Sequence, residues 1–385
     1  MDVLQPREGN SVTLNFNAEL QLKDFSYNAQ FEAGNEIVVL FGHSGAGKSL
    51  TLQLIAGLLK PTRGRITIGA ETVFDSDAGL DLPPQDRSLG YVVQDLALFP
   101  HMTVGENIAF GMTGSAQEQR LSDLLDLMGL NNLRDRRPLS LSGGQRQRTA
   151  LARALARETN LLLLDEPFSA LDESLRVELR RELIRLRSEL DLSVIFVTHD
   201  LREAHLVADR LAVFDEGRLL QFEGREHVFR QPANGRVAEL TGVANILRGR
   251  VSVVKPGDLT IEAGGTILRV PEPRNWHPAE GDSVEVAIRA ERINLRRLDV
   301  NEPGKANLVG ATIREELAYG ATHTLRFTTA LGQPIEVEIA ARPYEVMGVA
   351  KQKSWTLELP PEDLHLMPLS SKSAVEAPRA SATTA

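Results

Sequence analysis

A glycine-rich segment that ends in lysine and serine is the first part of the sequence whose residue types could bind a phosphate group. It directly follows an apolar run and reads Gly42-His43-Ser44-Gly45-Ala46-Gly47-Lys48-Ser49, with Leu50 next. Glycines let successive backbone N–H groups face a phosphate at the start of the following helix, where the helix dipole also favours an anion. The pattern G-x-x-x-x-G-K-[ST] after a strand therefore predicts a nucleotide site, with Lys48 on the β- and γ-phosphates and Ser49 on Mg²⁺. An ordinary glycine-rich turn, the alternative, does not require lysine and serine at these positions.

Two adjacent carboxylates follow another apolar run. Asp165 and Glu166 come directly after the four leucines at residues 161–164. Asp165 could ligate Mg²⁺, and Glu166 could act as a general base that orients and polarises an attacking water. Two acidic residues that only cap a strand are the alternative, and it would be preferred if this segment stood alone. Together with the glycine-rich loop, the pair indicates phosphoryl transfer to water.

A second glycine-containing segment opens a helix. It reads Leu141-Ser142-Gly143-Gly144-Gln145-Arg146-Gln147-Arg148. Ser142 has the residue type of an N-cap, and the two glycines allow a close backbone approach. The start of a helix is an anion site, so this segment predicts a second contact to phosphate.

Four short apolar runs must position these residues. They cover residues 36–41, 89–93, 161–164 and 193–197, and each ends in polar residues or glycine. Such runs are typical of strands buried on both faces of a parallel sheet. Leucines at spacings of three and four predict an amphipathic helix that packs on the core, through Leu175, Leu179, Leu183, Leu186 and Leu190. The pattern predicts an α/β fold.

Length and composition restrict the function classes. The chain has 385 residues, 43 Lys plus Arg, 52 Asp plus Glu and a formal charge of −9, so we expect two domains and no general nucleic-acid binding. It contains no cysteine, which excludes disulfides, thiolate catalysis and Cys-ligated zinc and fits a reducing cytoplasm. The sequence has no run of about 18 apolar residues, so we expect no membrane span. Its first ten residues carry charges where a signal peptide needs an apolar core, so we expect no secretion.

The sequence pattern changes after about residue 242. Short strand-like pieces separated by glycine and proline predict an all-β domain at residues 244–368, after an α/β domain at residues 1–240. Residues 244–251 resemble residues 306–313, so we expect two similar β units. Residues 369–385 are rich in Ser, Ala and Thr and are predicted to be a disordered tail.

The segment from Leu141 to Gln145 resembles the signature loop of the ATP-binding-cassette family. The other family motifs follow the expected order: a Q-loop with Gln94, a D-loop Ser169-Ala170-Leu171-Asp172, and a switch residue, His199. The resemblance implies the P-loop NTPase fold of this family, with a helical subdomain at about residues 95–160. It also implies a head-to-tail homodimer, in which each ATP lies between the Lys48 loop of one subunit and residues 142–145 of the other.

The same resemblance implies a role for each motif residue. Glu166 would be the catalytic base and His199 would contact the γ-phosphate. Gln94 would sense Mg²⁺ and the attacking water, and Asp172 would help to align the dimer. His43 belongs to the phosphate loop by position, without a role of its own. An aromatic residue should stack on adenine, and we predict Phe16, with Phe25 as the alternative.

The segments around the cassette bear on what its hydrolysis drives. Residues 94–108 resemble the importer pattern that receives a permease coupling helix, with an ordinary loop as the alternative. Residues 244–368 resemble the small OB-like regulatory barrel appended to importer ATPases. Residues 73–87 and 359–368 resemble molybdate-importer ATPases, although Gly304-Lys305-Ala306-Asn307 replaces the usual Ser-Ala-Arg-Asn anion motif. A barrel that senses an oxyanion and one that only braces the dimer both remain open.

We therefore expect the ATPase subunit of a binding-protein-dependent importer for molybdate or tungstate, using ATP and Mg²⁺ at the cytoplasmic face of the plasma membrane. Its partners would be a second copy, two permease subunits and, indirectly, a substrate-binding protein. The alternatives are the same role in import of sulfate, ferric iron, a polyamine or a sugar. A cassette protein without a role in transport is a more distant alternative.

Overall fold

The computed structural model describes residues 13–112, 117–157, 159–169, 171–273, 276–297 and 306–369. The chain divides into two compact units, residues 1–225 and 226–385. The second unit therefore begins before the predicted boundary at residue 240. Of the predicted tail at residues 369–385, only Leu369 belongs to the described residues; Ala170 of the D-loop and Gly304 and Lys305 also lie outside them.

The first unit is built on a mixed sheet with the strand order β6-β5-β4-β1-β2-β11-β10-β3-β9-β8-β7 in the described residues. The strands are β1 (Leu14–Leu22), β2 (Phe25–Ala33), β3 (Ile37–Phe41), β4 (Arg63–Ile68), β5 (Glu71–Asp75), β6 (Leu80–Asp81), β7 (Gly90–Val92), β8 (Leu161–Asp165), β9 (Ser193–Thr198), β10 (Arg210–Asp215) and β11 (Arg218–Gly224). Strands β10, β3, β9, β8 and β7 run parallel to one another. The four strands predicted from apolar runs are β3, β7, β8 and β9, and the α/β prediction is confirmed.

The parallel strands are buried because helices cover both faces of such a sheet. Every residue of β3, β8 and β9 is buried, as a run without polar alternation requires. By contrast, β1 alternates apolar and polar residues, and its apolar side chains belong to the core cluster of this unit. The carboxyl ends of the parallel strands are therefore fixed by a fully buried layer.

Helices connect these strands. In the described residues of the first unit they are α1 (Lys48–Ala56), α2 (Val104–Ala109), α3 (Gln117–Leu127), α4 (Gly143–Leu155), α5 (Glu173–Leu190) and α6 (Leu201–Val207). The helices α2, α3 and α4 lie within the predicted helical subdomain. On α5, Leu179, Leu183 and Leu186 are buried and Leu175 and Leu190 are partly buried, so the predicted stripe packs on the core. No helix in the described part of the chain has the length and apolar character to cross a membrane.

The second unit contains two five-stranded antiparallel sheets among its described residues, with the orders β14-β13-β12-β15-β21 and β16-β20-β17-β18-β19. Its strands are β12 (Asn245–Lys255), β13 (Asp258–Ala263), β14 (Thr266–Pro271), β15 (Ser283–Ile288), β16 (Asn294–Arg296), β17 (Leu308–Tyr319), β18 (Thr322–Thr329), β19 (Ile335–Ala340), β20 (Ser354–Glu358) and β21 (His365–Pro368). Helix α7 (Arg225–Arg230) spans the boundary between the units, and α8 (Gly235–Leu240) and α9 (Ala341–Met347) belong to the second. Side chains from both sheets form one core cluster.

The predicted repeat is visible in two asparagines that join the halves. Asn245 donates from Nδ2 to the backbone oxygen of Glu336 (2.8 Å) and accepts from its backbone N–H (2.7 Å). Asn307 makes the same pair of bonds with Arg269, at 2.8 and 2.7 Å. Each side chain thus acts as a peptide group on an edge strand of the opposite sheet.

Candidate nucleotide site

The register of the parallel strands brings the predicted site residues to one edge of the sheet. Phe41 is paired with Thr198, and Asp165 with Val197. Gly42, Glu166 and His199 are each the next residue in the chain, so the phosphate loop, the carboxylate and the histidine emerge side by side.

The phosphate loop can curve only because glycine stands at its two ends. Gly42 has φ 154°, and a Cβ there would lie 2.3 Å from the backbone oxygen of Phe214. Gly47 has φ 103° and is the N-cap of α1, without a side chain that accepts a hydrogen bond at the cap. The first N–H groups of α1 are thus left for an external anion. The loop fits a phosphate chain.

Lys48 is buried at the base of this loop. Its Nζ donates to the backbone oxygens of Gly42 (2.8 Å) and His43 (2.9 Å). Burial lowers the pKa of Lys48, and the nearby carboxylates of Glu166 and Asp165 raise it in part. His43, Ser44 and Gly45 are exposed, whereas Leu50 packs against the core.

Ser49 and Asp165 form a pair of oxygen ligands. Ser49 Oγ donates to Asp165 Oδ1 at 2.9 Å. Burial raises the pKa of Asp165, and the hydrogen bond from Ser49 opposes that effect. No group of three or more His, Cys, Asp or Glu that could hold a metal occurs among the described residues. A hydroxyl and one carboxylate fit Mg²⁺, which takes one or two protein ligands and completes its shell with phosphate oxygens and water.

Glu166 and His199 contact each other directly. Glu166 Oε1 lies 2.9 Å from His199 Nδ1. The backbone of Glu166 is in the left-handed region, with φ 44°, a conformation that a non-glycine residue adopts at a cost and that is common at functional sites. This turn directs the carboxylate to the histidine, so a water between Glu166 and a γ-phosphate would meet both groups.

A buried charge network supports His199, and the sequence alone did not indicate it. Glu203 accepts a hydrogen bond from Thr198 Oγ1 (2.7 Å) and pairs with Arg180 (3.4 Å). Thr198 Oγ1 in turn accepts from the N–H of Asp200 (3.0 Å). The residues on both sides of His199 are therefore held. No local charge spacing marks Arg180 in the sequence, because the residues four positions before and after it are Arg176 and Ile184.

Gln94 lies two residues after β7. Because Val92 is paired with Leu164 in parallel register, Gln94 reaches the same edge as Glu166. Its side chain is exposed. Leu96 and Ala97, in the turn that begins at Gln94, have left-handed φ values of 59° and 44°.

The signature segment forms a capping box at the start of α4. Ser142 Oγ accepts from the N–H of Gln145, and Gln145 Oε1 accepts from the N–H of Ser142 (2.9 Å). A Cβ on Gly144 would lie 2.7 Å from Leu175, and Gly143 is partly exposed. Asp172 caps α5 by accepting from the N–H of Leu175 (2.9 Å). The hydrogen bond from Ser174 is the main reason that the pKa of Asp172 is lowered.

The prediction that Phe16 stacks on adenine is wrong. Phe16 is fully buried on the inner face of β1 and packs against Phe31, with ring centroids 5.1 Å apart. The alternative, Phe25, is partly exposed. A Cβ on Gly217 would lie 2.9 Å from the Phe25 ring and the N–H of Gly217 donates to the loop residue Ala46, so Phe25 lies near the phosphate loop.

Comparisons with known proteins show the family of the chain. A family model described as ABC transporter matches residues 26–169. The chain is 36% identical over 350 residues to the spermidine/putrescine import ATP-binding protein of Nitratidesulfovibrio vulgaris, covering 86% of this chain and 92% of that protein. It is 42% identical over 237 residues to the molybdate/tungstate import ATP-binding protein of Archaeoglobus fulgidus, covering 61% and 96%.

A solved structure shares the fold. The cbiO1 protein of Clostridium perfringens, described as part of the ABC transporter complex cbiONQ, is 29% identical, with a TM-score of 0.51 over 57% of this chain and 91% of that one. Because the match to the first relative extends over most of both sequences, the chain belongs to the ABC transporter family, as an ATPase coupled to import.

Proposed function

We propose that this ATPase works as a homodimer at the cytoplasmic face of the membrane, beneath two permease subunits. A substrate-binding protein would deliver the cargo to these permease subunits. The pairing of Glu166 with His199 beside the Lys48 loop is the observation that supports hydrolysis best. The capped start of α4, with Ser142 exposed, supports its use as the phosphate contact for the second copy.

In the proposed mechanism the residues of this chain hold charge and a water molecule in place. Mg²⁺, when bound with ATP, neutralises charge on the β- and γ-phosphate oxygens. Ser49 and Asp165 would hold the metal, with Gln94 beside them, and Lys48 would turn from its two loop carbonyls to the phosphates. Glu166 accepts a hydrogen bond from the attacking water and orients it in line with the γ-phosphate. His199 fixes the carboxylate of Glu166 and would contact the γ-phosphate through its other ring nitrogen.

The adenine would stack on Phe25, which replaces Phe16 in this role. Phe25 is the first residue of β2 and is partly exposed. Aromatic rings offer a flat face to a base without requiring a hydrogen bond. Substitution Phe25→Ala should raise the KM for ATP more than it lowers kcat.

Molybdate or tungstate is the cargo that we propose first. The molybdate/tungstate relative supports this proposal, together with residues 73–87, which resemble molybdate-importer ATPases. An oxyanion in the second unit would not use the Asn307 side chain, because both Nδ2 hydrogens donate to backbone oxygens, of Arg269 (2.8 Å) and Leu359 (3.1 Å).

A polyamine is the second candidate, and sulfate is an equally supported alternative. The alignment with the molybdate/tungstate relative spans 237 residues, which is 96% of that protein. The alignment with the spermidine/putrescine relative spans 350 residues and therefore includes most of the second unit. The second unit, where cargo control is expected, thus has its counterpart in the polyamine relative.

The test is the ATPase rate of the full-length protein assembled with its permease and titrated with molybdate, tungstate, sulfate and spermidine. A change in rate with molybdate or tungstate alone supports the first proposal, and a response to spermidine or sulfate alone would replace it. The Glu166→Gln variant is the control, since its residual ATPase rate should not change with any of these solutes. Failure to assemble with any permease would favour a cassette protein outside transport.

A further inference from the structure

Two adjacent residues of the Q-loop have an unfavourable backbone. Leu96 and Ala97 have φ 59° and 44°, in the left-handed region where a side chain crowds the following carbonyl. Residues of this kind persist only where the surroundings hold them. The turn that follows Gln94 therefore needs an external support.

Arg153 provides that support from the last turn of α4. Its Nη2 donates to the backbone oxygen of Leu96 and its Nη1 to that of Ala97, both at 2.6 Å. The planar guanidinium fork matches two neighbouring acceptors, and such charge-assisted bonds are strong. Arg153 is partly buried, and this burial lowers the pKa of its guanidinium.

The far side of the turn is fixed as well. The Arg153 guanidinium lies 5.4 Å from the centre of the Phe99 ring. The fully buried Asn107 accepts from the N–H of Phe99 (2.8 Å) and donates to its carbonyl oxygen (3.1 Å). Residues 96–99 thus form a rigid turn whose only guanidinium support among the described residues comes from Arg153.

We infer that Arg153 is a positioning residue of the ATPase: it holds Leu96 and Ala97 in the left-handed conformation and so fixes Gln94 at the edge of the sheet. Arg153 lies on the helix that begins next to Ser142. The guanidinium therefore links the Q-loop to the helix that presents the proposed contact for the second copy. This inference rests on the proposed role of Gln94 in hydrolysis.

The first test is Arg153→Gln in the full-length protein assembled with its permease. We expect kcat to fall about tenfold with the KM for ATP changed less than about twofold, because a misplaced catalytic group slows turnover without removing the nucleotide contacts. The kcat of Arg153→Lys should lie between those of the native protein and Arg153→Gln, since an ammonium keeps the charge but lacks the planar fork. Arg157→Gln is the matched control, because Arg157 also donates to a backbone oxygen, that of Gln85 (2.9 Å), but not to the Q-loop; it should keep kcat.

The second test uses backbone preference at residue 97, whose side chain is exposed. Glycine adopts positive φ without a penalty and valine does so rarely. Adding Ala97→Gly to Arg153→Gln should raise kcat about threefold or more above that of Arg153→Gln alone. Ala97→Val should lower kcat in the otherwise native protein. A merely structural role for Arg153 would not produce a rescue by glycine that appears in kcat.

The outcomes separate this inference from the role of Gln94. Native kcat in Arg153→Gln, or no rescue by Ala97→Gly, would overturn the inference. Should Arg153→Gln not fold, Arg153→Lys and Ala97→Val measure the same dependence. A native kcat in Gln94→Ala would refute the proposed role of Gln94 and, with it, the catalytic part of the inference. If Ala97→Gly then restored the unfolding midpoint of Arg153→Gln, Arg153 would hold the turn without any effect on catalysis.

Discussion

At the scale of single residues, the groups that would do the chemistry are held in states that favour catalysis over stability. Burial lowers the pKa of Lys48 and raises that of Asp165, so both charges are disfavoured in the folded protein. Glu166 has a left-handed backbone. The site thus resembles the strained, partly desolvated arrangement that enzymes maintain at the expense of stability.

Replacement of Glu166 by Gln should leave ATP binding intact and nearly abolish hydrolysis. The amide keeps the shape of the side chain but cannot accept a proton from the water, and general base catalysis is worth about 10²–10⁴ in rate. Single-turnover hydrolysis and ATP binding measured on the same sample check this. Normal turnover would show that the base is another residue.

Replacement of Asp165 by Asn should stabilise the ligand-free protein at neutral pH. The pKa of Asp165 is raised above its ordinary 3.8 in the folded state, mainly by burial, so the folded chain binds this proton more tightly than the unfolded chain. The free energy of unfolding therefore falls as pH rises through the interval between 3.8 and the raised value, and the carboxylate destabilises the fold above it. Urea unfolding at several pH values should show the gain at pH 7 shrinking in acid, while hydrolysis falls by about 10² or more. An equal or lower stability at pH 7 would contradict this account.

At the scale of elements, Arg87 holds the far end of the phosphate-loop helix. It is 1% exposed, and its Nη1 donates to the carbonyl oxygens of Leu54 and Ile55, both at 2.8 Å, at the end of α1. Its Nη2 pairs with Asp81 at 3.1 Å. Helix α1 is thus fixed at its carboxyl end by a cation, as its dipole favours, and this fixes the direction of its amino end.

Arg87→Met should lower the free energy of unfolding by about 3 kcal/mol, because it leaves the buried carbonyl oxygens of Leu54 and Ile55 without their donor. The thermal unfolding midpoint and urea curves measure this loss. Arg65→Met is the matched control, since Arg65 pairs with Asp75 on the surface at 3.6 Å and should change stability by less than about 0.5 kcal/mol. Equal losses in both variants would mean that burial of Arg87 has no special role.

The sequence predicted what depends on residue type and local spacing, and not what depends on packing between distant segments. The phosphate loop, the carboxylate pair and the buried strands followed from contiguous patterns. The error at Phe16 was avoidable, because apolar residues alternate with polar ones through β1 and place Phe16 on the inner face. Arg87 and Arg153 bind carbonyl groups 32 to 57 residues away in the chain, and a charged residue in the sequence does not show whether it is buried against such partners.

At the scale of the whole molecule, the two units follow different rules of assembly. The first gathers its site at the ends of parallel strands, as open α/β sheets do. The second repeats one β unit and joins the copies through Asn245 and Asn307, each of which pairs with one residue on an edge strand of the opposite sheet. Both side-chain N–H groups of Asn307 already donate to backbone oxygens, so an anion in this unit would have to be bound by other side chains.

The proposed shared site can be tested by mixing two inactive chains. Lys48→Ala removes the phosphate-loop cation, and Ser142→Arg blocks the start of α4. If each site combines Lys48 of one copy with Ser142 of the other, a mixed dimer has one site with both changes and one site with neither. Co-expression with the permease and purification by two tags should then recover up to about half of the native ATPase rate, while each variant alone falls by about 10² or more. Single-chain sites would leave every site in the mixed dimer damaged, so activity no higher than that of the two parents would refute the shared arrangement.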